Sequence, residues 1–232
     1  MFSRLPRYFD SVAERAYDND MKGVKLISRE EARAMQRKFI HTWRPEEDTR
    51  PFRYGTPILA VLSSLGGILL QAHYRKAFLL GSHGLISTYL PAAALPGITT
   101  GLFQYQFVTM DILTGATPCP TCVEIRSATY QLILGIIYPM VLTPVAAAFV
   151  AGKYYTYPIP EMRQYKSVID LWRQTTFPLS RPLALMAGIQ IAAALMTTYK
   201  QGKAMDIIQE KILKMEREEG EPQPFVNLQI DL

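Results

Sequence analysis

The stretch Ser127–Gly152, SATYQLILGIIYPMVLTPVAAAFVAG, contains no charged residue. A helix needs about 20 mostly apolar residues to cross the roughly 30 Å hydrocarbon core of a bilayer, and this stretch is long enough. Three further stretches are also charge-free and of comparable length: Tyr54–Ala72, Gly84–Met110 and Pro182–Tyr199. The pattern predicts an all-α fold, a four-helix transmembrane bundle with spans at about residues 56–74, 85–109, 128–151 and 183–199.

The composition supports a chain organised around these spans. Of its 232 residues 49% are hydrophobic, and the mean hydropathy is only +0.04 because 25 Lys+Arg and 20 Asp+Glu lie in the ends and connections. Three parts are therefore predicted: a polar helical N-terminal arm at 1–53, a four-span membrane domain at 54–200, and a charged helix with an extended C-terminal tail at 201–232. Both arms are too short to build large cores of their own.

The charge distribution excludes some partners and suggests a topology. The net charge is +5, but basic residues alternate with acidic ones and form no dense patch with aromatics, so nucleic acid is not an expected partner. Anionic headgroups explain a basic bias beside spans, which makes membrane lipids expected partners. With four spans, 18 of the 25 Lys and Arg fall on the side of both termini, which places the termini on the inner side.

Prolines fall inside the second and third predicted spans. Pro91 and Pro96 lie in the second, and Pro139 and Pro144 lie in the third. Each proline removes one helix N–H and crowds the preceding turn, and in a bilayer the freed carbonyls need partners from neighbouring helices. We therefore expect kinked spans in a closely packed bundle. Broken helices around a transport site are the alternative that this pattern leaves open.

The arms carry amphipathic patterns. Ser28 and Glu31 have the spacing of a capping box, which predicts a helix that ends before Pro45. An apolar stripe follows on this helix, and similar positions occur before and after the fourth span. Such stripes dock on a partner or fold against the protein's own connections. The candidate partner-docking residues are Met35, Phe39, Trp43, Trp172, Met205, Ile208 and Ile212.

Cys119 and Cys122 form the sharpest chemical motif, a Cys-x-x-Cys at the predicted start of the third span. The positive end of a helix favours a thiolate, so one hypothesis is a membrane thiol oxidoreductase. A structural disulfide or a pair of reduced thiols in a tight turn are the alternatives, and the chain has no second cysteine pair to pass electrons onward. Thr121 and Glu124 form a capping box that gives this segment a structural role as the cap of the third span.

Other catalytic or cofactor sites are not indicated. His41, His73 and His83 lack the spacing of metal ligands, and zinc would need further ligands beside the cysteines. The interiors of the predicted spans contain no Asp, Glu, Lys or His that could serve as a station for ions. A carrier of a small neutral solute remains possible, but no cofactor and no small-molecule substrate are expected. Glutamines within or beside the spans are interpreted as interhelical hydrogen-bonders or interface residues: Gln71, Gln104, Gln106, Gln131 and Gln190.

The block from Cys119 to Pro139 resembles the transmembrane protein 126 family. There a Cys-x-x-Cys, an Arg-Ser and a Gly-x-x-Tyr-Pro follow in the same order as Cys119–Cys122, Arg126-Ser127 and Gly135–Pro139. Similar motifs flank it, and the resemblance covers roughly residues 56–200. It implies a non-enzymatic multi-pass protein of the mitochondrial inner membrane, with both termini on the matrix side. It further implies an assembly factor of respiratory complex I, whose partners are membrane-arm subunits or their assembly intermediates. The long terminal arms raise a variant, a stably bound accessory subunit.

Overall fold

The computed structural model describes residues 29–116, 119–158 and 165–219. All regular secondary structure in these residues is helical, which confirms the all-α prediction. Ser28 of the predicted capping box and the C-terminal tail at 220–232 lie outside the described residues. The α-helices are α1 Arg29–Thr42, α2 Glu46–Ala77, α3 Leu85–Gln104, α4 Met110–Thr114, α5 Pro120–Leu132, α6 Tyr138–Tyr154, α7 Tyr165–Thr176 and α8 Ser180–Glu219.

Three helical segments in this part of the chain are long and apolar enough to cross a membrane, namely Glu46–Ala77, Pro120–Tyr154 and Lys166–Met215. They contain the first, third and fourth predicted spans. The second predicted span, 85–109, corresponds to α3 and the turn after it and is not among the three. Length and composition alone therefore support three spans rather than four within the described residues.

The described residues form two compact units. The terminal unit comprises residues 29–55, 106–116, 119–124 and 197–219, so it draws together the segments that precede, connect and follow the apolar stretches. The central unit comprises residues 56–105, 125–158 and 165–196 and contains most of the charge-free sequence. Residues of both arms contribute to the terminal unit, and the three-part division expected from the sequence stays a prediction.

The helices depart from α-helical geometry at two π-helical turns, Tyr105–Thr109 and Ile133–Ile137. Helix α3 stays α-helical through Pro91 and Pro96. Pro139 follows the second π-turn, and it lacks the N–H that would normally bond to the carbonyl four residues earlier, at Gly135. Only the π-turn before α6 lies beside one of the prolines, Pro139, so the predicted kinks of the two spans stay a prediction.

Apolar packing in the central unit joins the C-terminal half of α2 to the C-terminal half of α6. The Tyr74 hydroxyl lies 2.7 Å from Thr176 Oγ1, and His73 Nε2 lies 2.9 Å from the Thr175 carbonyl oxygen, so the end of α7 is held against α2. The buried side chains of this cluster are Leu70, Tyr74, Phe78, Leu80, Ala147, Val150 and Ala151.

Candidate functional site

A layer of neutral polar side chains is buried at the centre of the central unit. Gln131 of α5 donates from Nε2 to Ser63 Oγ at 2.9 Å and to Gln190 Oε1 at 3.1 Å, and it also lies 3.3 Å from the Leu59 carbonyl. These side chains are almost completely inaccessible to solvent. Because they come from α2, α5 and α8, the amides bond three separate helices to one another.

Gln190 extends this layer to the π-turn before α6. Its Nε2 lies 3.5 Å from the Gly135 carbonyl and 3.4 Å from the Leu62 carbonyl. The Gly135 carbonyl is the group that Pro139 deprives of its helical donor, so the glutamine supplies the missing hydrogen bond from a neighbouring helix. A side chain at position 135 would collide with Gln190 Oε1, which explains why glycine occupies this position.

Gln104 at the end of α3 joins the same layer through α5. Its Oε1 accepts a hydrogen bond from Ser127 Oγ at 3.0 Å, and both residues are fully buried. The sequence-based interpretation of Gln104, Gln131 and Gln190 as interhelical hydrogen-bonders is therefore confirmed. Gln71 is equally buried, but neither atom of its amide has a hydrogen-bond partner within the described residues.

Arg75 was not singled out from the sequence, although it is only 5% exposed. Its guanidinium donates to the carbonyls of Gly81, His83 and Gly84 at 2.7 to 3.3 Å and to Thr88 Oγ1 at 2.8 Å. The side chain thus gathers the connection between α2 and α3 around one cation. One indication of this role was present in the sequence, a basic residue at the end of a predicted span that is followed by Gly81 and Gly84.

Charged groups organise the terminal unit. Asp48 at the start of α2 accepts from Trp43 Nε1 at 3.2 Å and from Lys211 Nζ at 2.5 Å. Asp48 is 13% exposed and Lys211 is 40% exposed, so this ion pair is partly shielded from water. It ties the N-terminal arm to the C-terminal helix across a sequence separation of 163 residues. We call Trp43, Asp48 and Lys211 the terminal clamp.

A fully buried glutamine supports the same unit. Gln201 of α8 donates from Nε2 to the Pro51 carbonyl at 3.1 Å, and its Oε1 lies 3.4 Å from Thr109 Oγ1. It therefore joins α8, α2 and the first π-turn, and both of its amide atoms are partnered. The buried apolar side chains of the unit are Ile40, Phe52, Val108, Met110, Leu113, Val123, Ala204 and Ile208.

The predicted docking residues differ in exposure. Ile208 is fully buried, so its side chain is not available to a partner, and its prediction as a docking residue is wrong. Met35 is 44% exposed, whereas the Phe39 ring packs on that of Trp43 with centroids 5.1 Å apart. Some residues of the apolar stripes therefore pack against the protein itself, which is the alternative to docking on a partner. Half-buried positions are Phe39, Trp43, Trp172, Met205 and Ile212.

Cys119 and Cys122 form a disulfide, with their Cα atoms 5.3 Å apart. Helix α5 begins at Pro120, so Thr121 is its second residue and Glu124 its fifth, rather than the predicted cap and its partner. The position before the helix is held by Cys119, whose Sγ accepts a hydrogen bond from the Cys122 N–H at 3.2 Å. The cap is thus two residues earlier than predicted, and the Cys122 side of the bridge is exposed.

Metal ligation finds no support in the described part of the chain, where no group of three or more His, Cys, Asp or Glu residues could hold an ion. The rings of His73 and His83 have other contacts. His73 bonds to the Thr175 carbonyl, and the ring of His83 stacks on Tyr154 with centroids 4.7 Å apart.

The sequence model of the family described as Transmembrane protein 126 matches residues 30–218. This chain belongs to that family. A Drosophila melanogaster protein named Transmembrane protein 126 is 37% identical over 180 residues, which cover 77% of this chain and 79% of the relative. Transmembrane protein 126A of Rattus norvegicus is 25% identical over 161 residues, which cover 69% of this chain and 80% of the relative.

A third relative has a functional name. The Rattus norvegicus protein named Complex I assembly factor TMEM126B, mitochondrial, is 30% identical over 106 residues, which cover 46% of this chain and 45% of the relative. No solved structure matches the chain. Family membership confirms the resemblance seen in the Cys119–Pro139 block, which lies inside the matched residues.

Proposed function

We propose that this protein is a non-catalytic component of the mitochondrial inner membrane that supports the assembly or stability of respiratory complex I. The observation that carries this proposal is the 30% identity to a family member named as a mitochondrial complex I assembly factor. The protein acts either during assembly or as a stably bound accessory subunit. Its partners are membrane-arm subunits of complex I or their assembly intermediates, together with membrane lipids.

The buried chemistry is consistent with a scaffold. The central unit uses its polar side chains on its own backbone and on one another, as the bonds of Gln131 and Gln190 illustrate. Hydrogen bonds of this kind hold transmembrane helices together where hydrophobicity does not distinguish protein from lipid. A fixed bundle of this type offers a stable surface to neighbouring membrane proteins without any reaction of its own.

In the membrane we propose four spans, with residues 85–109 as the second. Helix α3 is 20 residues long, contains no charge and is followed directly by the π-turn Tyr105–Thr109. An even number of spans puts both termini on the same side of the membrane, and the distribution of Lys and Arg favours the matrix side. Exposed Met35 and the half-buried Trp172, Met205 and Ile212 are the docking positions that this arrangement leaves for partners.

The experiment that tests the proposal is size-resolved profiling of mitochondrial complexes after mild detergent extraction. We expect the tagged full-length chain to migrate with complex I or with its smaller intermediates. Comigration with the mature complex would identify a subunit, and comigration with intermediates alone would identify an assembly factor. Migration only as a free small protein would refute both forms of the proposal.

One observation favours a second candidate, a membrane thiol oxidoreductase. The disulfide lies at the start of α5, with Cys122 exposed. A reacting dithiol would transfer two electrons to this bridge and be oxidised to a disulfide itself, while both cysteines become thiols. Replacing Cys119 and Cys122 by Ser separates the candidates, because an oxidoreductase loses its function and a scaffold that still inserts retains it.

A further inference from the structure

Five buried polar side-chain atoms of the central unit have no hydrogen-bond partner within the described residues; besides the two amide atoms of Gln71 they are Thr100 Oγ1, Gln104 Nε2 and Gln131 Oε1. Each belongs to a side chain that is fully buried. An orphaned polar group in a membrane interior costs several kcal/mol, because no solvent is there to replace the missing partner. Three such atoms in one layer therefore point to a further polar group between them.

The geometry of α3 and of the α5–α6 segment puts Thr100 and Gln131 at one level, with Gln104 one turn away. At the end of α3, Gln104 bonds to Ser127 of α5. Just before the start of α3, Gly84 lies against Val150 of α6. The two segments therefore run antiparallel. One turn back from Gln104 along α3 is Thr100, and one turn forward from Ser127 along α5 is Gln131, so these two side chains come to the same height.

Contacts of α2 support this alignment independently. Gln131 bonds to Ser63 and approaches the Leu59 carbonyl. Gly101 of α3 also lies against α2, because a methyl group at Gly101 would be 3.3 Å from the Cβ atom of Ala60. Residues 59 to 63 of α2 thus contact both Gln131 and Gly101, the chain neighbour of Thr100. These contacts of α2 place Thr100 and Gln131 at the same height independently of the contacts between α3 and α5.

The three atoms have complementary chemistry. Gln131 Oε1 accepts, Gln104 Nε2 donates, and the Thr100 hydroxyl can do either. A water molecule both donates and accepts, and a buried water typically has two to four protein partners. None of the three side chains ionises, so the set has no charge with which to hold a cation or an anion.

We propose that the central unit binds ordered water between Thr100, Gln104 and Gln131. The water completes the amide layer, because it supplies the donor that Gln131 lacks and the acceptor that Gln104 lacks. The site lies between α3 and α5, so the bound water joins two helices that also bond directly through Ser127 and Gln104. This inference concerns the interior of the bundle and stands whether or not the protein acts on complex I.

Water-edited solid-state NMR of the full chain in lipid bilayers tests the proposal, with water protons as the probe and glutamine side-chain amides labelled with ¹⁵N. Gln201 is the matched control, because it is equally buried and both of its amide atoms are partnered by protein. Exposed Gln174 supplies the reference for rapid transfer. We expect polarisation to reach Gln104 and Gln131 several-fold faster than Gln201. Equal transfer to all three buried amides would overturn the proposal.

A pair of isosteric variants locates the water. Thr100→Val removes one of its three partners, whereas Thr143→Val removes a hydroxyl that is equally buried but already bonded to the Pro139 carbonyl at 2.7 Å. We expect transfer to Gln131 to fall at least twofold in Thr100→Val and to stay unchanged in Thr143→Val. A fall of the same size in both variants would contradict the assigned site. Should Thr100→Val fail to fold, the unmodified protein still decides through the comparison with Gln201.

Discussion

The bonds inside the central unit differ in chemistry from the bonds inside the terminal unit. In the central unit, buried cross-links are formed by neutral amides and hydroxyls, with Gln131 and Gln190 as their centre. In the terminal unit, the carboxylate of Asp48 and the ammonium group of Lys211 link the start of α2 to α8. Glutamine also contributes there, through Gln201.

The difference follows the sequence segments from which each unit is built. An ion loses its hydration in an apolar interior, and the penalty is much larger than for an amide that keeps its hydrogen bonds. The central unit contains the charge-free stretches and therefore uses neutral groups, apart from Arg75 in the connection between α2 and α3. The terminal unit contains the charged arms and can use an ion pair that stays partly open to water.

The two tryptophans of the chain allow the units to be observed separately. Trp43 lies in the terminal unit and Trp172 lies in the central unit. Trp172→Phe leaves Trp43 as the fluorescent reporter of the terminal unit, and Trp43→Phe leaves Trp172 as the reporter of the central unit. Thermal unfolding of the detergent-purified chain on these two backgrounds measures each unit by itself.

The largest effect is expected from Gly67→Ala. A methyl group at this position would meet the Ala92 carbonyl, which Pro96 leaves without its helical donor. Backbone cannot move aside as a flexible side chain can, so we expect a loss of about 2–3 kcal/mol in the free energy of unfolding, seen by Trp172.

The matched variant is Gly188→Ala, since a methyl group there meets no atom within 4 Å. Alanine favours a helix over glycine by up to about 1 kcal/mol, so this variant should be neutral or slightly more stable. Equal destabilisation by both alanines would show that close packing at Gly67 is not what holds the central unit.

The next effect concerns the amide layer. Gln131→Leu removes the donor that reaches Ser63 and Gln190, and we expect the central unit to lose about 1–2 kcal/mol. Gln201→Leu is the counterpart in the terminal unit and should lower the transition reported by Trp43. A shift of the Trp172 transition by Gln201→Leu that equals the shift by Gln131→Leu would argue against two separately held units.

Reduction of the disulfide should have a smaller and local effect. The bridge closes a loop of only four residues, so the chain-entropy model gives about 2 kcal/mol at most, and the bond lies in the terminal unit. We expect a dithiol reductant to lower the Trp43 transition and to leave the Trp172 transition in place. The Cys119→Ser, Cys122→Ser variant, treated in the same way, controls for other effects of the reductant.

The smallest effect is expected at the terminal clamp. Lys211→Met keeps the apolar stem and removes the ammonium group that binds Asp48, and a partly exposed pair of this kind contributes about 1 kcal/mol or less. Raising the salt concentration should reduce the difference between this variant and the unmodified chain, because mobile ions screen the pair. A difference that is independent of salt would assign the loss to packing rather than to charge.

The sequence predicted features that depend on chemical type and failed on features that depend on placement. Charge-free length identified the helices, and the polarity of Gln131 and Gln190 in apolar surroundings identified them as interhelical bonds. Thr121 was predicted as a cap because its spacing to Glu124 fits the pattern, yet the helix begins at Pro120 and Cys119, two residues before Thr121, takes the cap position.

Two further features could not be read from local pattern. Ile208 shares its helical stripe with Met205 and Ile212, and only the folded unit determines which of them is buried. Arg75 lies beside an apolar stretch like an ordinary topological charge, but its role depends on three carbonyls of the following connection. Such roles arise from tertiary contacts, which spacing within one helix does not encode.

The most direct test of the account is rescue of complex I in cells that lack this protein, measured as assembled complex on native gels. We expect complex I to fall when the protein is removed. Both the unmodified chain and the Cys119→Ser, Cys122→Ser variant should restore it, because the proposed role needs a folded scaffold and no thiol chemistry. An unchanged level of complex I after removal, or failure of the membrane-inserted double variant to restore it, would contradict the account.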